Sequence, residues 1–178
     1  MYMPPNLVTL EELQKNNIIS EDFVFWLRGN GFLGAPASAN HHGNFTGGLY
    51  SHSQVVTHYL LALDAVPEHP WTNSRSPYIV GMFHDLCKID SYKPQNIDEY
   101  LDGLWVKDDK TILTGHGEKS VMLLSQFMTL TEEEVLCIRY HMGAYIKEDW
   151  DGYRKAIRKY PNVLYTHMAD MLASTLIV

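Results

Sequence analysis

The nine histidines of this chain are unevenly spread, and several sit among apolar or small neighbours in separate helix-like segments. His52 lies in GLYSHSQVV, His84 and Asp85 in VGMFHDLCK, His116 in TGHGEKS, His141 in IRYHMG and Asp170 in THMADMLAS. Taken singly, each is most simply a satisfied core histidine or a capping aspartate. The set reads differently. Imidazole and carboxylate are ligands for borderline and hard divalent cations, and helical bundles build metal sites from side chains on facing helices. Asp85 and Asp170 fall in otherwise apolar runs, where an unpaired carboxylate is costly and needs a cation or a hydrogen-bond network. A divalent metal meets that need.

These residues must be carried by helices, because no strong strand pattern appears. Thr9 with Glu12 forms a capping box ahead of LEELQKN, and Ser20 can cap EDFVFWLRG. Gly, Pro and Asn then break regular structure up to residue 48. From Leu49 a helical period runs to Pro67 through Leu49, Val56, Leu60 and Leu63. SPYIVGMFHDLCKI reads as one nearly all-apolar helix at the buried centre. The polar stretch from Asp90 to Thr114 is an excursion with room for a short hairpin. GHGEKSVMLLSQFM, TEEEVLCIRYHM with a capping box at Thr131 and Glu134, DWDGYRKAIRKY, and YPNVLYTHMADMLASTLIV complete the helices. The expected architecture is a single all-α domain over residues 1–178. Residues 1–48 form an N-terminal cover, and residues 49–178 a compact metal-binding helical bundle.

Bulk properties narrow the function. At 178 residues, with 46% hydrophobic and 20% charged residues, the chain can bury a core without disulfides. Its two cysteines, Cys87 and Cys137, read as buried thiols of a reducing compartment. The N-terminus lacks the regions of a signal peptide and no apolar run spans a bilayer, so a cytoplasmic protein without membrane partners is expected. A net charge of −7 disfavours long nucleic acids, whose binding rests on many cationic phosphate contacts. A small phosphorylated ligand fits, given local cations.

The order His52, His84–Asp85, Asp170 resembles the signature of the HD-domain superfamily of metal-dependent phosphohydrolases. GGLYSHSQVVTHYL looks like the family's first ligand helix, and VLYTHMADMLAS like its last. IVGMFHDLCKID looks like its "LLHDIGK" segment, with Cys87 where that motif has glycine. The resemblance covers roughly residues 41–175. It implies a first metal held by His52, His84, Asp85 and Asp170. His116 and His141 fall where two-metal members carry further ligands, which implies a binuclear site bridged by Asp85. HHGNFTGGLYSH, with His41 and His42, is similar to the HD domain of bacterial 3′–5′ exoribonucleases. Their added OB module finds no room here, so long RNA is not expected as substrate.

The implied activity is hydrolysis of a nucleotide, short oligonucleotide or other small phosphate ester, assisted by one or two divalent ions. Mn, Fe, Co or Ni suit a histidine-rich set, with Mg or Zn as further options. Asp85 and Lys88 are the expected catalytic residues. Lys88, His41 and His42 are expected to contact substrate. Lys88 follows Asp85 by almost one helical turn, and a plain lysine at a helix end is its alternative reading. His58, on another helix face, and His69, in a Pro-flanked loop, are read as non-ligands. His167, one turn before Asp170, is a candidate to orient that carboxylate. Tyr145, Lys147 and Arg154 are further candidates for substrate contact. Two other functions use the same ligand pattern: a di-iron oxygenase, and a sensor or binding module without turnover. The number of subunits is open.

Overall fold

The computed structural model describes residue 4 and residues 6–64, 71–95, 105–113, 115–143 and 149–176. Eight α-helices follow one another in these residues: α1 (Leu10–Lys15), α2 (Glu21–Gly29), α3 (Gly48–Asp64), α4 (Ser76–Phe83), α5 (Gly117–Leu124), α6 (Glu132–Arg139), α7 (Trp150–Lys159) and α8 (Asn162–Leu176). The hairpin allowed for in the polar excursion is present: β1 (Tyr92–Pro94) pairs antiparallel with β2 (Trp105–Lys107), Tyr92 opposite Lys107. The protein is mostly helical. None of the described helices is long and apolar enough to cross a membrane.

Both capping boxes form. Thr9 accepts from the Glu12 N–H while Glu12 accepts from the Thr9 N–H, and Thr131 and Glu134 do the same for α6. The second box also works at long range. Glu134 is fully buried, accepts from the Ser76 hydroxyl at 2.9 Å and pairs with Arg75, so the start of α6 is tied to the start of α4. That tie sets the two helices whose far ends carry His84 and His141.

One hydrophobic cluster unites the chain. Leu10, Phe23, Leu27 and Phe32 belong to the same buried group as Leu49, Phe83, Leu124 and Ala173. Phe23 of α2 stacks on Phe127 and meets Phe83 tilted, at 4.7 and 5.1 Å between centroids. Residues before 49 thus supply core as well as cover. Among the helix pairs, α3 packs most extensively on α4 and on α8. Within the first of these contacts Gly81 permits a close crossing, since a Cβ there would stand 2.5 Å from the Thr57 Cα. Gly81→Ala is expected to push α4 off α3 at a cost of about 1–3 kcal/mol. That corresponds to roughly 2–4 °C of Tm per kcal/mol in a domain of this size. An unchanged thermal melt would show that the crossing has slack.

Helix ends depart from expectation, most consequentially after α4. SPYIVGMFHDLCKI is not a single helix: α4 stops at Phe83, and Leu86–Asp90 forms a 3-10 turn. One long-range and one local hydrogen bond hold the segment after the break. The Cys87 N–H donates to the Ser120 hydroxyl at 3.0 Å, and the Ser91 hydroxyl donates back to the Cys87 carbonyl at 3.0 Å.

Candidate metal centre

The break after α4 is what lets His84 and Asp85 converge. In a continuous helix, neighbouring side chains diverge by about 100°. Here His84 caps α4 with φ −54° and ψ −35°, and Asp85 leaves it with φ −103° and ψ 20°. His84 Nε2 thereby comes within 3.5 Å of Asp85 Oδ2. His52 and Asp170 arrive from the interiors of α3 and α8, which pack together. His52 Nε2 stands 3.0 Å from Asp170 Oδ1, 3.3 Å from His84 Nε2 and 3.9 Å from Asp85 Oδ2. His116 comes from the N-cap of α5 and His141 from the turn after α6. Both face the other oxygen of the same carboxylate: His141 Nε2 lies 3.4 Å and His116 Nδ1 4.0 Å from Asp85 Oδ1.

Asp85 therefore turns Oδ2 toward one histidine pair and Oδ1 toward another. Backbone carbonyls fix the tautomers of two of the four. His84 Nδ1 donates to the Gly81 carbonyl at 2.9 Å and His141 Nδ1 to that of Ile138 at 2.7 Å, so each ring turns its Nε2 lone pair inward. Asp85 Oδ1, His141 Nε2 and His52 Nδ1 are buried without a hydrogen-bond partner. Groups left so cost free energy unless something else satisfies them. Imidazole nitrogens and carboxylate oxygens crowding one point suit a divalent cation. Two overlapping triads, His52–His84–Asp85 and His84–His141–Asp170, each have ligand atoms within 4.8 Å of one another. A third, Asp85–Cys87–His116, is equally compact.

The electrostatics favour ionised carboxylates and, at His42, His52 and His116, neutral imidazoles. Burial alone would raise the Asp85 pKa, but the Lys88 ammonium and then His84 outweigh it and hold the carboxyl well below its usual range. Asp170 is likewise depressed against burial by its hydrogen bond from His52 and by the charges of His84 and His52. Burial lowers His52 and His116. His141 moves the other way, because its contact with Asp85 overcomes desolvation. His42 is pushed down to about 4, by burial first and then by His52 and Lys88. The Cys87 thiol is pushed up to about 12 by burial and by Asp85.

A cavity of about 400 Å³ opens beside these groups, lined in part by His41, His42, Asp85, Lys88, His116 and Asp170. Lys88 sits on the 3-10 turn rather than on the helix expected for it, three residues from Asp85, with Nζ 2.6 Å from Asp85 Oδ2. It is buried apart from the cavity face. His42 approaches His52 ring to ring at 4.9 Å, with Nε2 3.3 Å from the Ser174 hydroxyl, and at its depressed pKa offers a neutral imidazole. His41 is exposed and also borders a groove of about 320 Å³ with Tyr92, Trp105 and Lys107.

All six expected ligands gather at this point, and Lys88, His41 and His42 line the adjoining cavity. His58 packs edge-on to Tyr59 and is no part of the cluster. His167 does not orient Asp170. Its Nδ1 donates to the His141 carbonyl at 2.8 Å, tying α8 to the turn that carries His141. Arg154 is exposed and outside the cavity lining. His69, Tyr145 and Lys147 lie outside the described residues. Sequence reasoning missed Tyr92, which borders both cavity and groove. Its only signal was a place four residues beyond Lys88. Comparison with family models, with curated proteins and with solved structures finds no match for this chain.

Proposed function

We propose that this protein is a metal-dependent phosphohydrolase of the HD type, acting on a small phosphate ester such as a nucleotide or short oligonucleotide. The observation that carries the reading is the division of Asp85: one oxygen toward His52 and His84, the other toward His116 and His141. A carboxylate has two oxygens and can serve two cations at once, as an imidazole with one available lone pair cannot. Divalent ions bound there would supply Lewis acidity, drawing down the pKa of water and offsetting charge on a phosphoryl group. His52, His84, Asp85 and Asp170 would hold one ion, and His116 and His141 would add to Asp85 for a second.

The remaining steps belong to the side chains around the cavity. An ammonium has three donors. Lys88 spends one on Asp85 and can direct the others toward a phosphoryl oxygen in the cavity. His42, neutral near pH 7, can hydrogen-bond the substrate without competing as a cation. The cavity volume falls within the range of small-molecule sites.

The test joins metal counting to turnover. Protein loaded with Co is expected to hold two ions per chain and to hydrolyse a nucleotide or an aryl phosphodiester. His116→Ala and His141→Ala are each expected to reduce the count to about one, leaving the first site filled. Unchanged stoichiometry in both variants would make these packing histidines. A chain that retains no ion and turns over no ester would remove the reading itself.

A further inference from the structure

From the geometry around Asp85 Oδ1 we infer that Cys87 is a sulfur ligand of the second cation, completing a site with Asp85 and His116. This rests on the metal-centre reading above and adds a donor that the expected ligand set lacks. Cys87 Sγ is 3.9 Å from His116 Nδ1, and that nitrogen is 4.0 Å from Asp85 Oδ1. All three ligand atoms lie within 4.8 Å of one another. A tetrahedral ion with bonds of ~2.3 Å to sulfur and ~2.0–2.1 Å to nitrogen places those ligands about 3.6 Å apart. The observed sulfur–nitrogen spacing exceeds that by a few tenths of an ångström, and the nitrogen–oxygen pair stands wider than its own ideal by more. His116 has half its side chain exposed and is free to close the gap.

Two features separate Cys87 from an ordinary core thiol. Its backbone is clamped through the Ser120 hydroxyl, which fixes the side chain beside the cluster. Asp85 Oδ1, buried and without a hydrogen-bond partner, is aimed into the same space, and His141 Nε2, equally unpartnered, faces that oxygen at 3.4 Å. Among the described residues, Cys137 belongs to none of the compact ligand groups. On binding, the sulfur lone pair forms the metal–sulfur bond and the thiol proton passes to solvent, so one proton is released per ion bound and no electron is transferred. A thiolate is a soft donor. It biases this position toward Zn, Co or Fe over Mg or Mn, while the first position keeps only nitrogen and oxygen donors.

The experiment is absorption spectroscopy of the full chain titrated with Co(II). Expected are the visible transitions of bound cobalt together with a near-ultraviolet sulfur-to-cobalt charge-transfer band. That band should vanish in Cys87→Ser and survive in Cys137→Ser. Visible cobalt transitions without the near-ultraviolet band in the unmodified chain would overturn the sulfur ligand and leave the metal-centre reading standing. Absence of any bound cobalt would remove both. Should Cys87→Ser not fold, X-ray absorption of the zinc-loaded unmodified chain decides the matter. A sulfur shell at about 2.3 Å is expected, and a nitrogen and oxygen shell alone overturns the proposal.

Discussion

Asp85→Ala is expected to cost the protein both its bound metal and about 3 kcal/mol of stability. The two losses have different causes. Asp85 faces both histidine pairs, with Oδ2 toward His52 and His84 and Oδ1 toward His116 and His141. Losing a group that merely orients a ligand typically costs 10–100-fold in metal affinity. Losing the shared carboxylate should exceed ~100-fold and abolish hydrolysis with it. The stability loss comes from Lys88, buried and 2.6 Å from Asp85 Oδ2. Deleting one member of a buried ion pair strands the other, at about 3–5 kcal/mol. Lys88 borders the cavity, and that partial access to solvent puts the expected value at the lower end. Asp85→Ala combined with Lys88→Met removes both charges and should regain most of the stability but none of the metal. Denaturant unfolding with a chelator present reads the stability loss, and elemental analysis reads the metal loss. If Asp85→Ala kept its full complement of metal, the shared-carboxylate arrangement would be wrong.

The ligand positions were legible because each breaks a local rule. Asp170 is a carboxylate in an apolar helix, and His52 sits on the face of α3 that packs on α8. Helix starts were equally legible, since Thr9, Ser20 and Thr131 carry their signals within three residues. Helix ends were not. SPYIVGMF runs into HDLCKI with no glycine or proline to mark a stop, and the break depends on Ser120, some thirty residues onward. Likewise α5 and α6 end earlier than their apolar pattern, at Leu124 and Arg139, and His141 lies in a turn rather than on a helix face. Cys87 stood in plain view, two residues after Asp85, yet read as an inert thiol. The approach of His116 is what suggests a ligand role for it, and that contact spans 29 residues.

Lys88→Ala is expected to keep its metals and lose roughly 30- to 1000-fold in kcat/KM toward phosphate esters. The chain carries a net charge of −7, so its far field repels an anionic substrate and binding must rest on cations inside the cavity. Lys88 is the lysine among the described residues that lines that cavity. Removing one preorganised electrostatic partner from a sheltered site typically costs ~2–4 kcal/mol of transition-state stabilisation. At ~1.4 kcal/mol per tenfold, that gives the range stated. Metal should stay, because withdrawing an ammonium from beside Asp85 removes a competitor for Oδ2. Lys88→Arg keeps the charge, but its planar guanidinium cannot repeat a point contact to Asp85 and a second to a phosphoryl oxygen, so partial recovery is expected. The measurement is steady-state kinetics on metal-matched proteins with a nucleotide and an aryl phosphodiester. If Lys88→Ala stays within about threefold of the unmodified chain on every active substrate, Lys88 is only the counter-ion of Asp85. If no ester is hydrolysed while the iron-loaded chain consumes oxygen, the same ligand cluster serves oxidation instead, and Lys88 has no phosphoryl group to meet.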